Sequence, residues 1–94
     1  MNNIEILANV KNAVQDFNNG GKKSDFYNTI LNAVNAVGIE HVVKATNLTR
    51  VEIYDTLDGV SPSFENLSRI LEVFGVKITL NFNENAVQLK DFIR

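Results

Sequence analysis

Ninety-four residues can build one hydrophobic core and not two, and a composition of 45% hydrophobic and 21% charged residues excludes a disordered tail or a membrane-embedded chain. There is no cysteine and one histidine, His41, which removes disulfide frameworks, thiolate zinc sites, catalytic thiols and every site that needs two imidazoles. The net charge of −2 supplies no global positive field, so any contact with nucleic acid must rest on a local patch.

From Ile4 to Phe17 the residues Leu7, Val10, Val14 and Phe17 recur at intervals of three and four, which predicts a helix with those side chains on its buried stripe. Asn18-Asn19-Gly20-Gly21 stops it, and Gly20-Gly21-Lys22-Lys23 reads as a solvated linker. A second helix is predicted from Ser24, as its cap, to Val37, with Phe26, Ile30, Leu31, Val34 and Val37 at helical spacing before Gly38.

Three further helices are predicted over Ile39–Thr46, Thr49–Leu57 and Phe64–Phe74. Thr49-Arg50-Val51-Glu52 has the form of a capping box and fixes a helix start at Thr49. Asp58-Gly59 ends that helix, and Ser63 caps the next, whose buried stripe is Phe64, Leu67, Leu71 and Phe74. Past Gly75 the period changes: Val76, Ile78, Leu80 and Phe82 alternate with polar residues, the rhythm of a half-buried strand. Its partner is either the tail 86–93 as a hairpin or the same strand of a second copy, and Leu89, Phe92 and Ile93 suit a short amphipathic helix equally well.

The informative stretch is Ile39 to Leu57, where a short helix, an abrupt turn at Asn47-Leu48 and a capped helix compose a helix-turn-helix. Val43, Leu48, Ile53 and Leu57 supply the apolar seam of two helices crossing steeply, and Asn47 is tolerant of the positive φ that the turn needs. Val43 is larger than the small residue usual at close approach, which predicts a slightly wider crossing.

Phe26 through Gly38, His41-Val42-Val43-Lys44, Asn47-Leu48-Thr49-Arg50, Ile53-Tyr54, Leu57, Ser61-Pro62-Ser63-Phe64 and the run from Leu67 to Leu80 together carry a resemblance. From about Phe26 to Leu80 the chain resembles the probable addiction module antidote proteins, HigA-like helix-turn-helix antitoxins of the Cro/C1 repressor-type superfamily. The resemblance implies a mainly α, five-helix, lambda-repressor-like bundle with a C-terminal strand or β-hairpin. It implies a dimer that binds an operator and neutralises a toxin of the RelE/ParE kind. Residues 1–23 then form an N-terminal helix and Gly-Lys linker, 24–82 the helix-turn-helix DNA-binding domain with its strand, and 83–94 a C-terminal tail.

Carried over by position, the resemblance puts His41 where the family has a polar group that meets a phosphate. By itself His41 reads as a surface or half-buried helix residue. Lys44 adds positive charge nearby, and Thr49, Arg50 and Val51 open the recognition helix, followed by Tyr54 and Asp55. Arg50 suits bidentate pairing with guanine O6 and N7 or clamping of a phosphate, whereas Tyr54 fits base-side contact and simple packing equally well. Asp55, where relatives often carry Lys, together with Glu52 and Asp58 makes the face acidic and predicts weak binding by a monomer. A two-fold dimer would set two recognition helices about 34 Å apart and double the contacts.

The chain has no Gly-rich phosphate loop and no convincing Ser-His-Asp arrangement, so neither an enzyme nor a cofactor is expected. No apolar run approaches the ~18 residues of a membrane span, and the expected location is cytoplasmic. Two other functions compete with the antitoxin: a phage or mobile-element regulator without a toxin, and a helix-turn-helix scaffold that binds only protein.

Overall fold

A computed structural model of the chain describes residues 2–61 and 63–78. Five α-helices follow one another: α1 (Asn3–Asn18), α2 (Lys23–Val37), α3 (Ile39–Thr46), α4 (Arg50–Leu57) and α5 (Phe64–Val73). Among the described residues there is no strand. None of these helices is long and apolar enough to cross a membrane.

α1 starts one residue earlier than the periodicity predicts because Asn2 caps it. The Glu5 amide donates to Asn2 Oδ1 at 2.8 Å, and the Asn2 side-chain amide donates to the Glu5 carboxylate at 3.3 Å. Its buried residues are Ile6, Val10 and Ala13, with Val14 and Phe17 half-buried. Leu7, expected on the inner stripe, is exposed: Ile6, not Leu7, completes the i, i+4, i+7 line through Val10 and Ala13.

At the end of α1 the Gly20 amide donates to the Phe17 carbonyl and the Gly21 amide to the Asp16 carbonyl, the paired bonds of a Schellman closure. Gly20 takes φ +98°, while a Cβ on Gly21 would lie 2.7 Å from the Asp16 carbonyl oxygen, so one glycine supplies conformation and the other supplies room. The supposed linker is thus a tight corner. Lys23 already belongs to α2, with its ammonium 6.0 Å from the centre of the Tyr27 ring. Ser24 is not the cap of α2; that position falls to Lys22, which makes no side-chain capping bond, and Ser24 lies within the first turn.

α1 packs mainly on α2, where Phe17 and Phe26 stack at 5.0 Å between ring centres. α2 in turn meets α3 and α4, and α5 closes the other side of both. Phe26, Tyr27, Ile30, Ala33 and Val34 of α2 join Ile6, Val10, Val42, Leu48, Ile53, Leu57, Leu67, Ile70, Leu71 and Phe74 in one continuous core. Each fully buried aliphatic or aromatic side chain there contributes about 1.5–3 kcal/mol of transfer free energy.

α5 begins as expected, with Ser63 Oγ accepting from the Asn66 amide at 3.2 Å, and buries Leu67, Ile70 and Leu71 with Phe74 just after its end, while Phe64 is half-buried. Its end is closed by backbone hydrogen bonds. The Gly75 amide donates to the Glu72 carbonyl and the Val76 amide to the Leu71 carbonyl, so Val76 completes a second Schellman closure instead of opening a ladder. Val76 and Ile78 are half-buried against the core and Lys77 is exposed, which keeps the predicted alternation without making residues 76–78 a strand. The remainder of the expected strand, 79–82, and the tail 83–94 lie outside the described residues.

Candidate nucleic-acid interface

α3 and α4 are joined by residues 47–49, and three local devices fix that connection. Asn47 adopts φ 61°, ψ 21°, the left-handed region, while its amide still donates to the Val43 carbonyl at 2.9 Å. The buried Thr46 hydroxyl donates to the Val42 carbonyl at 2.6 Å and accepts the Leu48 amide at 3.2 Å, so the turn leaves no orphan donor as it drops Leu48 into the core. The capping box then starts α4: the Glu52 amide donates to Thr49 Oγ1 at 3.1 Å and the Thr49 amide to the Glu52 carboxylate at 3.0 Å.

With Ile53, Thr56 and Leu57 buried, helical geometry turns Val51, Asp55 and Asp58 outward on one line, flanked by Arg50 and Tyr54. Val51 is 66% exposed, an apolar residue at the centre of the presented face. Arg50 is not free on that face. Its guanidinium forms an ion pair with the carboxylate of Glu40 in the first turn of α3, with the two side chains 63% and 58% exposed. Tyr54 is half-buried, and its hydroxyl donates to Asn35 Oδ1 of α2 at 3.3 Å. Asp55 is half-buried, and its carbonyl accepts the Ser61 amide, which folds the following loop back against α4.

The sequence-predicted residues therefore divide into groups. Thr49, Arg50, Val51, Tyr54 and Asp55 share α4 and its cap, and Lys44 is exposed on α3 one turn beyond Glu40. His41 is exposed and faces elsewhere: it lines an open depression of about 450 Å³ beside Asn3, Ile6, Leu7, Val37 and Phe74, between α1 and the end of α5. The sequence reading missed Glu40 and Asn35. Each meets its partner across a tertiary contact, ten and nineteen residues away in the chain, and no periodic pattern announces such a pair.

Among the described residues no group of three or more His, Asp or Glu side chains is placed to hold a metal ion. On α3, α4 and the C-cap of α4 the acids Glu40, Glu52 and Asp58, all exposed, and the half-buried Asp55 outnumber the exposed Lys44 and Arg50. Comparison of the chain with protein-family models, with curated proteins and with solved structures finds no match.

Proposed function

We propose that α3, the Asn47 turn and α4 form a helix-turn-helix and that the chain is a sequence-specific DNA-binding regulator of antitoxin type. It acts as a homodimer on an operator, with α4 entering the major groove. The observation that carries this reading is the left-handed turn at Asn47 followed by a fully capped helix whose first-turn residues Arg50 and Val51 are exposed. Arg50 leads base recognition, and Thr49 and Lys44 supply backbone contacts in the bound dimer, while His41, which lines the depression beside α1, stands off this face. A basic toxin of the RelE/ParE kind is the proposed protein partner, and a stable co-purifying complex is the result expected of it.

The test is fluorescence anisotropy with labelled duplex DNA, first with mixed genomic fragments at two salt concentrations and then with the sequence they enrich. Binding should weaken steeply with salt, and Arg50→Ala should remove sequence preference while leaving thermal stability nearly unchanged. Salt-insensitive or absent binding would overturn the DNA-binding reading. One observation favours a second reading, a scaffold that binds only protein: the outward line of α4 is apolar and acidic, and its arginine is already paired with a carboxylate. Under that reading a basic protein partner is retained at salt concentrations where DNA is not bound at all.

A further inference from the structure

We propose that Glu40 sets the anion affinity of the α4 surface by holding the Arg50 guanidinium against its own carboxylate. This rests on the DNA-binding reading for its biological meaning and on the ion pair for its physics. Glu40 stands in the first turn of α3 and Arg50 in the first turn of α4, so the pair closes across the 47–49 connection. A carboxylate competes for the guanidinium with a phosphate or a guanine edge, and Glu40 Oε1 engages Nη2, one of the two terminal nitrogens that either would use. An approaching anion must displace it and then remain beside its unpaired negative charge.

Two features make this a tunable restraint instead of a permanent block. Both side chains are more than half exposed, and exposed pairs of this kind exchange readily and weaken with salt. The neighbouring acid does not share the task, because the Glu52 carboxylate is committed to the Thr49 amide in the capping box. Glu40 is therefore a positioning residue that acts through Arg50, and it lowers binding to any anionic surface before sequence is read.

The experiment compares wild type, Glu40→Gln, Arg50→Ala and the double variant by anisotropy with mixed-sequence duplex DNA and by salt elution from immobilised heparin. Glu40→Gln should tighten DNA binding roughly two- to fivefold at low salt, steepen the salt dependence by about one unit, and delay heparin elution. In the Arg50→Ala background the same substitution should produce only the small effect of one fewer negative charge. Equal affinity and elution for Glu40→Gln and wild type would overturn the proposal, as would an undiminished effect without Arg50. If no variant binds DNA while the heparin elution shifts as expected, the role of Glu40 stands and the operator reading falls. If wild type binds DNA and Glu40→Gln changes neither affinity nor elution, the operator reading stands and the role of Glu40 falls.

Discussion

Replacing Thr46 by valine tests whether the α3–α4 connection is held by its one buried hydroxyl. The substitution nearly conserves volume and β-branching, so neither a cavity nor a change of backbone preference enters. Loss of the bond to the Val42 carbonyl is the smaller part, since a carbonyl inside a helix keeps the backbone partner of the i→i−4 ladder. The larger part falls on the Leu48 amide, which donates to Thr46 Oγ1 at a residue only 4% exposed and would lose its acceptor. An orphaned buried donor costs about 1–3 kcal/mol, and in a domain of this size each kcal/mol lowers Tm by about 4–8 °C. Thr56 supplies the control: it is fully buried and its hydroxyl donates to the Glu52 carbonyl at 2.7 Å, but among the described residues it accepts from no donor. Thr56→Val should therefore stay within about 1 kcal/mol of wild type. Thermal melts followed by circular dichroism, with amide exchange at Leu48, give both readouts. Equal Tm for the two variants, with Leu48 protection unchanged in Thr46→Val, would show that the hydroxyl does not hold the turn.

Gly21→Ala should lower stability by about 1–3 kcal/mol in denaturant titration, because its Cβ would press on the Asp16 carbonyl oxygen at 2.7 Å. Asn47→Val should cost about 1–2 kcal/mol for the left-handed backbone, whereas Asn47→Gly should be neutral or mildly stabilising; a tolerated valine would contradict the turn geometry. Burial pushes the Tyr27 phenol above its ordinary value of 10.0, so the folded chain keeps that proton to higher pH than the unfolded chain does. Its contribution is complete below pH 10 and is lost as the pH rises beyond, and Tyr27→Phe should flatten the alkaline limb of a plot of stability against pH.

Helix boundaries were legible wherever a cap or a glycine wrote them: the Thr49–Glu52 box, Ser63, Asp58-Gly59 and Gly38 all stand where the chain pattern puts them. Asn2 to Glu5 carries the same type of signal, since an Asn three residues before a Glu is a capping pattern, and it places the start of α1. Ser24 misled because a capping residue type beside a glycine corner looks like a start even when the corner has already aimed the chain into the helix. Leu7 misled because two stripes a residue apart are both apolar, and only packing on α2 chooses between them. Of the alternation after Gly75 only 76–78 lies within the described residues, where Val76 and Ile78 lean on the core and Lys77 is exposed, a pattern that says nothing of hydrogen-bond partners. At the interface, the residues of α4 could be placed from spacing alone. That Arg50 is paired and His41 lies toward α1 depends on how α3 is rotated against its neighbours, and local spacing does not encode that rotation.

The position of α2 has a consequence for which surfaces this protein must keep covered. Its Phe26 stacks on Phe17 of α1, while Tyr27, whose ring meets the Phe26 ring edge-on, borders Leu57 of α4, so adjoining apolar flanks of one helix face two neighbours. A chain beginning after Gly21 would leave the first of those flanks wet, and sticking to a neighbour would be its readiest remedy. The opening helix thus does within one molecule what a subunit contact would otherwise have to do for that flank of α2.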